Sequence, residues 1–266
     1  MPPNIVAGRP LAEWETLIRS KIDGHLKNER FDSLVYEITE VEKIENYVIK
    51  KKGQDRIVQD PSGTTTFLAP IVAEPATPTK IELTAPIKVW IDDPKIVLDS
   101  LFLELAREVA GSETLTVLKA LGSVATKFKA RGPLISRNQL REVDEWASGH
   151  RQYLDTLILN PITQTKLISE PKEFLNAWQL PEQIRIAEGP HFAGILGGLL
   201  VYWTPFIDQQ TLLVYKKAET REKRSRLSVK FAPGLENPEN LSVREDCLAW
   251  AVDDTGVAEV HLQAGD

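Results

Sequence analysis

Four histidines, one cysteine and 38 carboxylates are the groups able to hold a metal or move a proton, so their spacing decides which chemistry is open. His25, His150, His191 and His261 are scattered, no H-E-x-x-H occurs, and Cys247 has no second cysteine with which to build a zinc site. Each histidine reads as an ordinary surface or rim residue, and Cys247, with no histidine near it in sequence, as a small buried hydrophobe. The glycine-rich tract 189–198, GPHFAGILGG, lacks both the G-K-[ST] ending of a phosphate loop and the G-x-G-x-x-G spacing. No G-x-S-x-G elbow marks a serine nucleophile. Glu37, Glu40, Glu42 and Glu45 read as an exposed, solvated face. Lys216, Lys217, Arg221, Lys223, Arg224 and Arg226 form a basic cluster that reads as a solvated loop. Contact with nucleic acid or an acidic neighbour is its alternative, weakened by Glu219, Glu222 and Glu236. The linear sequence therefore assigns no catalytic, cofactor-binding or metal-binding residue, and no cofactor. A small α+β enzyme or binding domain would need a site built from residues distant in sequence, in a deep pocket with perturbed ionisations.

Composition narrows the class further. The chain has 266 residues, 42% hydrophobic and 26% charged, which suits one large globular domain or two smaller ones. Residues 1–10 lack a basic segment followed by an apolar core, so no secretory signal is expected. The greasiest stretch, 192–203, is cut by Gly194, Gly197 and Gly198 and falls short of the roughly 20 apolar residues that span a bilayer. It reads as core, and no membrane partner is expected. A net charge of -6 argues against a protein whose main task is gripping phosphates, although nucleic acid can still be a neighbour.

The elements follow from periodicity and punctuation. Leu11, Trp14, Leu17, Ile18 and Ile22 recur at helical spacing and predict an amphipathic helix ending near Gly24. Residues 31–52 fit a strand or a helix, with β-branched content favouring the strand. Lys50, Lys51, Lys52 and Gly53, then Asp60, Pro61, Ser62 and Gly63, predict a long protruding hairpin. Pro75, Pro78 and Pro86 predict an edge strand or an extended connection over 71–91. Asp93 and Pro94 open a helix with Leu98, Leu101, Phe102, Leu105 and Val109 on one face and Gly111 as its stop. Ser112 then caps a second helix through Val117, Leu121, Val124 and Phe128, or the first continues with a kink.

Further on, Ser136 and Gln139 match a capping box, Ile135 and Leu140 a hydrophobic staple, and Gly149 a stop. Thr156, Leu157, Ile158 and Leu159 form an apolar run too short for a helix, expected as a buried central strand. Asn160 and Pro161 cap the next helix. Residues 199–203 and 211–215 are expected as neighbouring strands, 227–231 as another, and 247–252 with 257–262 as a hairpin around Asp253, Asp254, Thr255 and Gly256. Strand runs and helix runs without regular alternation indicate an α+β fold.

From Ser136 onward a capped helix (SRNQLREVDEWASGH), an aspartate-led strand ending in Asn-Pro (YLDTLILNPITQTKL), a glycine-introduced strand (GILGGLLVYWTP) and a further strand (QQTLLVYKK) follow in order. This order resembles the major capsid proteins of tailed phages, of the Hong Kong ninety-seven type, and the encapsulin shell proteins that share their fold. The resemblance implies an N-terminal arm over 1–32, carrying the amphipathic helix. An extended β-hairpin loop with part of a peripheral domain would span 33–92, and peripheral helices 93–135. A spine-like helix and axial domain would span 136–226, with strands returning to the peripheral domain over 227–266. It implies a self-assembling shell subunit, not an enzyme, located in a virion. Its partners would be itself in hexamers and pentamers, a scaffold or cargo protein, and packaged DNA. The alternative is an encapsulin-like compartment around a cargo enzyme. The long N-terminal scaffolding segment that some phage capsid precursors carry is not visible in this sequence, so a separate scaffold or none is expected. Some relatives crosslink a loop lysine; Lys50, Lys51 and Lys52 lie on the candidate loop, but no asparagine or carboxylate partner is identifiable, so solvated lysines are the reading kept.

Overall fold

The computed structural model describes residues 5–6, 9–31, 37–40, 47–52, 56–59, 65–68, 71–86, 97–169, 178–179, 191–216, 221–231, 240–251 and 254–263. The chain opens with a short ribbon, β1 (Ile5–Val6) and β2 (Arg9–Pro10), followed by helix α1 (Leu11–Glu29). Strands β3 (Glu37–Glu40), β4 (Tyr47–Lys52), β5 (Arg56–Gln59), β6 (Thr65–Leu68), β7 (Ile71–Ala76) and β8 (Thr79–Pro86) lead to the long helix α2 (Val97–Val124). Next come β9 (Thr126–Lys129), α3 (Arg137–Gly149), β10 (Thr156–Leu159) and α4 (Pro161–Ser169). The last part holds β11 (Trp178–Gln179), β12 (Phe192–Leu196), β13 (Leu199–Trp203), β14 (Thr211–Tyr215), β15 (Arg221–Phe231), β16 (Asn240–Ala251) and β17 (Val257–His261). The α+β class expected from the sequence is the one observed.

Two sheets organise these elements. A seven-stranded mixed sheet has the order β11-β12-β13-β10-β14-β17-β9, and a four-stranded sheet the order β3-β15-β16-β8. Strand β10 sits at the middle of the larger sheet, parallel to β13 and antiparallel to β14. All four of its residues are buried because both faces of the sheet are covered. Leu157 and Leu159 point into a core shared with Val143 of α3 and Leu167 of α4, while Ile158 points into a second core with Val117 and Leu121 of α2. A third core joins Ile18, Ile22 and Leu26 of α1 to Phe102, Leu105 and Val109 of α2 and to Val243 of β16.

The local signals hold where they rest on cap and turn chemistry. Ser136 caps α3: its hydroxyl accepts from the Gln139 backbone N–H at 3.3 Å, and the Gln139 side-chain amide oxygen Oε1 accepts from the Ser136 N–H at 2.8 Å. Asn160 caps α4 by accepting from the Ile162 N–H at 2.9 Å, and its amide donates to the Ile207 carbonyl at 2.8 Å. Proline-bearing β8 is an edge strand, as its composition demands.

Several expectations are corrected. Helix α1 passes through Gly24 and continues to Glu29, because Leu26 extends the buried stripe and Arg30 is held by distant carboxylates. Gly111 is not a stop: α2 runs unbroken for 28 residues, and a Cβ at this position would lie 2.7 Å from the Phe206 ring. The glycine there admits an aromatic neighbour. Phe128 belongs to β9 and not to a helix. Helix α3 does end at Gly149, as expected, and the left-handed conformation after it falls on Arg151, at φ 59°. Strands β13 and β14 are not neighbours, since β10 inserts between them. Residues 247–252 and 257–262 form no hairpin: β16 lies in the four-stranded sheet, β17 in the seven-stranded one, and a 3-10 turn, Asp254–Gly256, precedes the second. Residues 91–96, with the Asp93–Pro94 start signal, lie outside the described residues.

Candidate functional site

The groups with chemical potential are dispersed over the fold. His25 is half-buried on α1, and His150 follows α3 with Nδ1 at 2.8 Å from the Trp146 carbonyl. His261 on β17 contacts Glu259 Oε1 at 2.6 Å. His191 lies half-buried between the rings of Phe31 and Trp203, at centroid distances of 5.4 and 5.0 Å. Burial holds its imidazole below the ordinary value of 6.5, against smaller opposing effects from the Trp203 backbone and the charge of Glu29. Cys247 is buried on β16. Among the described residues, no three His, Cys, Asp or Glu side chains converge where they could hold a metal ion.

The glycine-rich tract is a structural turn. Gly197 and Gly198, at φ 60° and 94°, make the two-residue connection between β12 and β13, and Leu196 pairs with Leu199 across it. Gly194, at φ 138°, marks a register shift in β12. Of the basic cluster, Arg221, Lys223, Arg224 and Arg226 lie on strand β15, which corrects the loop expected there; Lys217 lies outside the described residues. Glu37 and Glu40 are on β3, and Glu42 and Glu45 lie outside the described residues.

A cleft of about 500 Å³ opens beside α3, with Leu140, Leu154, Leu199 and Val214 as its floor and Arg137, Arg141 and Asp144 at its rim. Its charged groups are one carboxylate and two guanidiniums, with no histidine, cysteine or second carboxylate among the lining residues. The buried charges are already engaged. Arg30 donates to both oxygens of Glu113, at 2.9 and 3.0 Å, and to Glu245 at 3.3 Å, with side-chain exposures of 7%, 0% and 0%. This triad ties the end of α1 to α2 and β16, a structural duty that sequence spacing across 215 residues could not reveal.

The surface carries a more telling feature. Strand β4 pairs with β7, from Tyr47 opposite Ala76 to Lys52 opposite Ile71, and β5 pairs with β6, from Arg56 opposite Leu68 to Gln59 opposite Thr65. The two ladders are nested in chain order, β5–β6 within β4–β7, as in an extended hairpin, and Lys50, Lys51 and Lys52 lie on β4. Among the described residues the four strands make extensive contact only with one another. At their base Ala76 packs on Leu248 and Trp250 of β16. The six strand residues of β4 and four of β5 correspond to roughly 33 Å of extended chain.

No family model matches the sequence, and no curated protein does. Solved structures do match. The virus-like particle of Pyrococcus furiosus aligns over 94% of this chain and 100% of its own, with a TM-score of 0.62 at 15% identity. The capsid of a native GTA particle aligns over 88% and 90%, with a TM-score of 0.58 at 13% identity. The SrpI encapsulin of Synechococcus elongatus aligns over 90% and 92%, with a TM-score of 0.53 at 12% identity. At such identities the shared property is the fold, and it extends over nearly the whole chain.

Proposed function

We propose that many copies of this chain, which has the Hong Kong ninety-seven type shell fold, assemble into a closed icosahedral shell. The observation that carries the reading is the pair of nested hairpin ladders β4–β7 and β5–β6, which among the described residues has its one packed contact at Ala76 and makes extensive contact with no element outside itself. A two-stranded ribbon alone is marginal in water. Laid on a neighbouring copy it buries apolar surface at about 25 cal/mol per Å², before ordering costs. Individually weak contacts add up because each subunit is held by several neighbours at once.

In this reading residues 1–32 act as the arm, 33–92 as the extended loop with part of the peripheral domain, and 93–135 as peripheral helices. Residues 136–226 act as the axial domain, and 227–266 return through β15 and β16 to the smaller, peripheral sheet before β17 rejoins the larger one. The spine-like role passes to α2, which has 28 residues against 13 for α3 and touches both sheets. The protein works as a scaffold without a reaction of its own, in keeping with a fold shared with shell subunits.

Packaged DNA, as in a virion head, is the content we assign. A protein cargo, as the encapsulin comparison suggests, is the second reading. Negative-stain microscopy of the purified protein tests the shell: uniform closed particles are expected, and a monomer at every salt concentration tried, with and without a candidate scaffold, would refute it. Nuclease-resistant nucleic acid inside particles from the native source separates the DNA reading from the cargo reading.

A further inference from the structure

Among the described residues the two main sheets end in four edge strands, β9 and β11 in the larger and β3 and β8 in the smaller. Open edges template pairing with other chains. Two of the four are poor templates: β8 ends on Pro86, and β11 is two residues long. The other two are matched in length and opposite in charge. Strand β9 reads Thr-Lys-Phe-Lys, with Lys127 and Lys129 exposed and Phe128 turned onto the Trp146 ring at 5.5 Å. Strand β3 reads Glu-Ile-Thr-Glu and places Glu37 and Glu40 on the opposite sheet's edge. Each is proline-free, four residues long and paired on its inner side in parallel, β9 with β17 and β3 with β15.

We propose that the β9 edge of one copy pairs with the β3 edge of a second copy, an inference that rests on the shell reading. Aligned antiparallel over their full length, Lys129 falls opposite Glu37, Phe128 opposite Ile38 and Lys127 opposite Thr39, with Glu37 also diagonal to Lys127. In parallel alignment Lys129 falls opposite Glu40. Either register sets a glutamate position opposite a lysine position. The same charges exclude the wrong partners, since β9 against β9 sets lysines together and β3 against β3 sets glutamates together. Joining two different edges makes a heterologous contact, which passes from copy to copy and closes into a ring where the rotation allows. That is the geometry a capsomer needs.

Charge exchange tests it. Lys127→Glu with Lys129→Glu, and separately Glu37→Lys with Glu40→Lys, should each lower particle yield about tenfold at low salt. Far-UV circular dichroism checks that the subunit remains folded. Combining all four substitutions should restore the particles. Should a reversal misfold, Lys127→Gln with Lys129→Gln, which removes attraction without adding repulsion, decides by a loss of about threefold. Yields unchanged by the reversals, or losses that the combined exchange leaves in place, overturn the pairing. Normal particles that have lost co-purifying nucleic acid also overturn it and assign the lysines to phosphate. A wild-type protein that forms no particle removes the shell reading and the pairing with it, whereas intact wild-type shells with indifferent edges remove the pairing alone.

Discussion

Replacing Arg30 by methionine removes the guanidinium that holds Glu113 in two hydrogen bonds, of 2.9 and 3.0 Å, and Glu245 in a third, of 3.3 Å. Both carboxylates are fully buried, so the loss leaves charge in a medium that cannot solvate it. Breaking a buried ion pair in this way costs about 3–5 kcal/mol, a large share of the roughly 5–15 kcal/mol that holds a folded domain. In guanidinium chloride the unfolding midpoint should fall by roughly 1 M, followed by tryptophan fluorescence. The control replaces all three members, Arg30→Met, Glu113→Met and Glu245→Leu, so that the buried triad is removed together. Apolar replacement of a whole buried triad is often neutral or stabilising by about 1–4 kcal/mol, so the triple variant should recover most of the loss. A single variant within about 1 kcal/mol of wild type, or a triple variant no better than the single, refutes the claim that the guanidinium is what keeps these two carboxylates tolerable in the core.

Three further outcomes follow from local geometry. Ser136→Ala removes one side of the capping box of α3 and should cost about 1 kcal/mol, read as a lowered midpoint in denaturant. Arg151→Gly relieves a left-handed residue at φ 59° and should gain about 0.5 kcal/mol, or one to two degrees in Tm, by scanning calorimetry. His191 has a folded-state pKa lowered from 6.5 by burial, so the unfolded chain takes up its proton first as pH falls. Stability from this group is complete above pH 6.5 and is lost as pH falls from there toward the folded-state value. Tm should therefore drop less between pH 7 and 5 in His191→Phe than in wild type.

Features governed by adjacent residues were legible in the sequence. The capping box at Ser136 and Gln139, the Asn160–Pro161 helix start and the buried run of β10 each depend on side chains within a few positions of one another. Features decided by distant packing were not. Gly111 looks like a helix end until Phe206, almost a hundred residues on, is seen to occupy the space its missing Cβ leaves. The strands 199–203 and 211–215 look like a pair until β10 is found between them, because nothing in a strand names its lateral neighbour. Arg30, Glu113 and Glu245 are three ordinary charges until the fold removes water from them. Of the candidate assembly surfaces, the ribbon announced itself through turn residues around Lys50 and Gly63, whereas the edges of β3 and β9 exist only once strand order is known.

The continuous helix α2 has a mechanical consequence. Its 28 residues make a beam about 42 Å long whose first half is embedded beside the smaller sheet and whose second half lies under the larger. Neither half of the molecule can melt without unwinding a girder on which the other depends, so heating should produce one cooperative transition instead of two. A push delivered to either sheet is likewise handed along this axis to the other, without a slack linker to absorb it.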